Sequence, residues 1–108
     1  MKEILNELDS GLKNLAKEYP EQTNAFFNFL GAVEKEGALS KKQKEFIALG
    51  VSVAVKCKPC IAYHVNELLK LNAKTEEIIE AAYVGVLMGG GPAMAHMQYV
   101  LKAIEELK

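Results

Sequence analysis

The sequence predicts an all-α, single-domain bundle of about six helices spanning residues 1–108. Three observations predict it. Apolar residues recur at helical spacing along the chain. Prolines, glycines and small polar residues fall where helices start and stop. The one strand-like alternation, Val51, Val53 and Val55, lies downstream of a helix cap and a helical period that override it.

Ile4, Leu5, Leu8, Leu12, Leu15 and Ala16 make one stripe on a first helix. Gly11 weakens this helix without ending it. Pro20 suits the first turn of a second helix. Its apolar face is Phe26, Phe27, Leu30 and Val33, and Gly37 closes it. Ser40-Lys41-Lys42-Gln43 has the form of a capping box, so a third helix is expected from about Lys41 to about Ala54. Its later part is apolar nearly all round, as in a helix buried on several sides.

Pro59 disfavours helix at Lys58 and suits the start of a fourth helix. Ile61, Val65, Leu68 and Leu69 supply its apolar face, and Asn72 is its expected end. Thr75 is the expected cap of a fifth helix, with Glu76 and Glu77 in its first turn. Gly89-Gly90-Gly91-Pro92 breaks the chain and starts a sixth, from Ala93 to about Glu106. Phe26, Phe27, Phe46 and Tyr83 are read as core or interface residues.

Half the residues are hydrophobic and a quarter charged, which excludes a disordered chain. A domain of 108 residues has much surface for its volume, so this apolar content predicts an oligomer with apolar interfaces. The net charge is −1, and nothing marks a nucleic-acid footprint. All thirteen basic residues are lysines, so bidentate anion recognition by arginine is absent. The first twenty residues lack the apolar core of a secretory signal, and no window of about 20 apolar residues could span a bilayer. The expected location is the cytoplasm, where lasting structural disulfides are disfavoured.

Two cysteines two residues apart then point to redox chemistry or metal. Cys57-Lys58-Pro59-Cys60 can close and open a small disulfide ring. At a helix start, unpaired amides and the helix dipole stabilise a thiolate, and Lys56 and Lys58 add positive charge. His64 follows Cys60 by four residues and shares its helical face, where it can take or return a proton. If the third and fourth helices form an antiparallel pair turning near residues 54–57, Glu45 and His64 stand at the same level. Cys60, His64 and Glu45 could then act as thiol, base and orienting acid. A carboxylate in so apolar a hairpin needs a partner.

Other readings compete. The cysteines could be ordinary buried residues. With His64 and His96 they could bind zinc, although the spacing is not that of a standard finger. The pair could also serve a non-enzymatic redox sensor or adaptor. His96 is read as structural, and the glycine run lacks the context of a phosphate cradle.

Glu45 followed by Cys57-Lys58-Pro59-Cys60-Ile61-Ala62-Tyr63-His64 resembles the carboxymuconolactone decarboxylase superfamily, in its alkyl hydroperoxidase D-like branch. The stretch from Gly89 to Ala93 is similar to that family's region before the last helix. The resemblance spans roughly Phe26 to Leu101. It implies an all-helical homotrimer or homohexamer and a thiol-dependent peroxidase or disulfide reductase in antioxidant defence, with no cofactor and no metal. Carried over by position, Cys60 is the peroxide-attacking thiol and Cys57 the resolving and exchange thiol. Glu45 and His64 form the proton relay. A lipoyl- or thioredoxin-like dithiol would be the reductant. Better-known members often have a histidine between the cysteines, where this chain has Pro59. That departure bears on peroxidase efficiency and leaves disulfide reduction untouched. The decarboxylase branch lacks the cysteine pair, so lactone decarboxylation is the weaker reading. From position alone, Cys57, ahead of its helix, should lie nearer solvent than Cys60.

Overall fold

A computed structural model describes all residues, 1–108, as six helices without a strand. They are α1 (Lys2–Glu18), α2 (Pro20–Glu34), α3 (Lys41–Ala54), α4 (Lys58–Lys70), α5 (Thr75–Gly89) and α6 (Gly91–Leu107). The core is built by α3 to α6, each through one helical stripe. Leu49 and Val53 come from α3, and Ile61, Val65 and Leu68 from α4. Ile78 and Ala82 come from α5, and Met97, Val100 and Ile104 from α6. Complete burial of a side chain such as Leu49 stabilises the fold by about 1.5–3 kcal/mol.

The capping box at the start of α3 is formed as expected. Gln43 N–H donates to Ser40 Oγ at 3.0 Å, and Ser40 N–H donates to Gln43 Oε1 at 2.8 Å. Asn72 ends α4 with φ 61°. Its N–H donates to Leu69 O, and the Ala73 N–H donates to Leu68 O. This pairing is a Schellman motif, and asparagine tolerates the left-handed residue it needs.

Contact between α3 and α5 depends on missing side chains. A Cβ on Gly85 would lie 2.2 Å from Gly50 O, and one on Gly89 would lie 3.0 Å from Ala54 O. Backbone-to-backbone approach here brings α5 close enough to bury the core face of α3.

Several expectations are corrected. Thr75 is the first residue of α5 and not its cap. Lys74 holds the cap position, and its N–H donates to Glu77 Oε1 at 2.8 Å. Within the glycine run only Gly90 breaks the chain, at φ 76°; Gly89 ends α5 and Gly91 begins α6, two residues before Ala93. Gly37 does not close α2, which has already ended at Glu34. The Phe26, Phe27, Leu30 and Val33 face covers no core, because α2 buries none of its residues. Of the residues read as core or interface, Phe46 packs half-buried against the core, whereas Phe26, Phe27 and Tyr83 stay outside it, Phe26 58% exposed. No helix is long and apolar enough to cross a membrane.

Candidate active site

The site begins with how α3 ends. Lys56 takes φ 60°, the left-handed conformation that glycine usually fills. Its N–H donates to Val53 O at 3.1 Å, and the Cys57 N–H donates to Ser52 O at 3.0 Å. This second Schellman motif reverses the chain and leaves Cys57 as the N-cap of α4. Cys57 Sγ accepts the Cys60 N–H at 3.3 Å, as a serine oxygen would in that position. The two Cα atoms are 5.2 Å apart and the sulfurs are joined as a disulfide. Pro59 sits in the first turn of α4, where its missing N–H costs no hydrogen bond. The helix nevertheless starts one residue before it, at Lys58.

The antiparallel α3–α4 pair puts Glu45 opposite His64. Glu45 falls on the core stripe of α3, four residues before Leu49, and is 1% exposed. His64 Nδ1–H donates to Glu45 Oε2 at 2.7 Å. This contact offsets the cost of burying a carboxylate, and it fixes the tautomer that leaves Nε2 as proton acceptor. Cys60 lies one helical turn before His64 on α4. Tyr63 sets its ring edge-to-face with His64, centroids 5.1 Å apart. Burial, reinforced by the charges of Glu67, Glu34 and Glu45, pushes the Tyr63 hydroxyl up to about 12. It therefore stays neutral.

A residue outside the expected set joins this group. Glu34, the last residue of α2, brings its carboxyl against that of Glu45. That contact, with partial burial and the charge of Glu45, pushes Glu34 up to about 7, against the pull of His64 and Lys41. Burial alone would raise Glu45 as well. Hydrogen bonds from His64 and Glu34, with the charges of His64 and Lys41, outweigh burial and hold it below the ordinary carboxylate range. No local motif announces Glu34, since its partner lies eleven residues on, across a loop. A weak signal was available: an acid closing a helix just ahead of the capped helix that carries Glu45.

Both cysteines are half-buried, and exposure does not set Cys57 apart from Cys60 as expected. His96 stays apart from the carboxylates. Its Nδ1–H donates to Pro92 O at 2.9 Å, and its ring meets Tyr99 edge-on. Tyr99 carries the Lys58 ammonium 4.5 Å above its ring, which ties the segment between the cysteines to α6. Cys57, Cys60, His64 and His96 do not gather as a metal-ligand set; no group of three or more such side chains does.

The carboxymuconolactone decarboxylase family model matches residues 20–104. The chain belongs to this family. Among solved structures, a carboxymuconolactone decarboxylase family protein of Legionella pneumophila superposes with a TM-score of 0.93 at 39% identity, covering 98% of this chain and 95% of that one. A family member from Thermotoga maritima, for which a part in the antioxidative response has been suggested, gives 0.86 at 31% identity over 95% and 88%. The chain is also 34% identical to uncharacterized protein 4 of the cox locus of Paracoccus denitrificans, over 78% of this chain and 76% of that protein. The all-helical architecture expected from the resemblance is thus the family's own.

Proposed function

We propose that this family member is a thiol-dependent oxidoreductase, a peroxidase or disulfide reductase, working through Cys57 and Cys60 with His64 and Glu45 as proton relay. The observation that carries it is one hairpin holding both parts: a disulfide across the N-terminus of α4 and, one turn along, an imidazole bonded to a buried carboxylate. The part suggested for the Thermotoga maritima relative supports the same reading.

In the reduced protein, His64 Nε2 takes the Cys60 proton. The thiolate attacks one peroxide oxygen, the O–O bond breaks, and the leaving alkoxide takes the proton from the imidazolium. Cys60 is oxidised to a sulfenic acid and the peroxide is reduced to an alcohol. The Cys57 thiol then displaces water, closing the disulfide. A dithiol reductant reopens it by attacking Cys57. Cys60 leaves as thiolate and takes up, through His64, the proton released by the attacking thiol; the reductant's second thiol then displaces Cys57, which takes that thiol's proton, and the reductant becomes a disulfide. A disulfide substrate enters by the same exchange in reverse.

The physiological reductant proposed is a lipoyl- or thioredoxin-like protein, and the location proposed is the cytoplasm. The assembly proposed is a homotrimer or homohexamer. Its support is apolar surface that the monomer leaves bare: Leu87 and Met88 of α5 are 79% and 77% exposed, beside an open apolar groove of about 410 Å³ between α3 and α5.

The test is an anaerobic stopped-flow titration of reduced protein with peroxides and with small disulfides. Mass measurement should then show loss of two hydrogens within one chain. Turnover with an added dithiol distinguishes an enzyme from a redox sensor. Thiols that remain freely alkylatable after oxidant treatment would overturn the proposal.

A further inference from the structure

Glu34 is delivered to the site by an unusual attachment. Lys44 Nζ donates to the carbonyls of Val33 and Lys35, each at 2.7 Å. These are the two chain neighbours of Glu34, and Lys44 is the chain neighbour of Glu45. One turn of α3 therefore presents Glu45 to His64 and also grips the backbone on both sides of Glu34. The carbonyls that accept from Lys44 lie at the C-terminal end of α2, where a lysine is favoured by the helix dipole. The two carboxyls that meet cannot both ionise without repulsion, whereas one proton between them makes a hydrogen bond.

Resting on the thiol-redox reading above, we propose that Glu34 is a positioning residue of the relay: clamped by Lys44, it shares one proton with Glu45 and so holds Glu45 ionised and aimed at His64. The groups facing Glu34 are Glu45, Lys41 and Lys44 from α3, and His64 and Tyr63 from α4. Lys41 and a protonated His64 favour its ionised form. Tyr63 is neutral and leaves the balance to Glu45. The proton count is closed. Cys60 gives its proton to His64 Nε2, Nδ1–H stays bonded to Glu45, and Glu34 keeps its own proton throughout. With Glu34 held near 7, the pair loses that proton close to neutrality, and the geometry of Glu45 then changes with pH.

The test separates this proposal from the redox reading by using a reagent that needs no peroxide. In a Cys57→Ser background, Cys60 is alkylated with iodoacetamide from pH 5 to pH 9. The S–C bond forms, iodide leaves, and the thiol proton goes to the relay. Glu34→Ala should slow alkylation at pH 6 about tenfold. Glu34→Gln, whose amide can donate to Glu45 as the protonated acid does, should recover most of that loss and remove the pH dependence near 7. Carboxyl ¹³C spectra should show one glutamate titrating near 7 that vanishes in Glu34→Gln. Equal alkylation profiles in wild type and both variants would overturn the proposal, and so would the absence of that titration. Circular dichroism of each variant distinguishes a folding defect, which glutamine would not repair selectively by pH. A wild-type protein inert to peroxides and disulfides would sink the redox reading alone, since alkylation reads the relay directly.

Discussion

The α3–α4 hairpin and the α1–α2 hairpin are built from similar material and reach opposite ends. Each is a pair of helices with an apolar stripe, joined by a short turn. In α3–α4 the stripes are buried, and Glu45, Leu49, Ser52 and Val53 of α3 lose nearly all contact with water. In α1–α2 no helical residue is buried, and Leu15, Tyr19, Phe26, Phe29 and Val33 remain about half exposed or more. The radius of gyration, 14.1 Å, exceeds the roughly 13 Å expected for a chain of this length, in keeping with an arm laid along one side. A helical stripe therefore says that a face is to be covered, and not by what. The arm reaches the candidate site at the end of α2, where Lys44 of α3 grips Val33 and Lys35 and Glu34 meets Glu45.

Substitutions at the relay should separate the two hairpins most. His64→Ala and Glu45→Gln are expected to slow Cys60 oxidation by about 10²–10⁴-fold, each removing part of the proton path. Rapid mixing with peroxide measures this. Unchanged kinetics in both would remove the relay from the mechanism. Changing Phe29 of the arm to serine should leave the rate within about threefold, unless the arm is needed for assembly, which light scattering would reveal. The same cysteine assignment predicts a trappable sulfenic acid on Cys60 in Cys57→Ser. Finding it on Cys57 in Cys60→Ser would reverse the roles, and the hydrogen bond that Cys57 Sγ accepts from the Cys60 N–H makes that reversal the competitor to beat.

Glycines offer a stability contrast of about 3 kcal/mol or more. Gly85→Ala must push α5 off Gly50 and Val53 and should cost about 3 kcal/mol, enough to threaten folding. Gly31→Ala in α2 meets nothing within 4 Å and should stabilise by about 0.5–1 kcal/mol. Denaturant unfolding of the two variants compares them. Similar effects would mean that the arm packs as tightly as the hairpin.

The carboxyl pair predicts a stability window. Glu34 has a folded pKa near 7, above the ordinary 4.5, so its contribution is present at low pH and lost as pH rises through about 7. Glu45 is depressed, so its contribution is present above the ordinary carboxylate range and lost as pH falls through its lowered value. Thermal stability should be greatest near pH 4.5 and should fall from there as pH rises to about 7. From pH 6 to pH 8 wild type should lose melting temperature while Glu34→Gln stays level. A wild-type curve as flat as the variant's would break the link between arm and site.

The smallest effect belongs to the turn. Lys56→Gly relieves a left-handed lysine and should stabilise by up to about 1 kcal/mol, read by chemical denaturation. Destabilisation would mean that the lysine side chain, and not its backbone, matters there.

What could be read from the chain alone was whatever is encoded within a few residues. The Ser40–Gln43 box, the end of α4 at Asn72 and the spacing of Cys57, Cys60 and His64 all rest on i to i+4 relations that survive without knowledge of the fold. The Glu45–His64 bond was reachable because two helices joined by a short turn have little freedom but to lie antiparallel, which converts counting into distance. Glu34 was out of reach. Its place depends on Lys44 crossing a loop to grip Val33 and Lys35, a contact between elements with no shared period. The fate of the Phe26 face was out of reach for the same reason. Burial is decided by which surfaces meet, and no helix of the chain closes over α2 far enough to bury any of its residues.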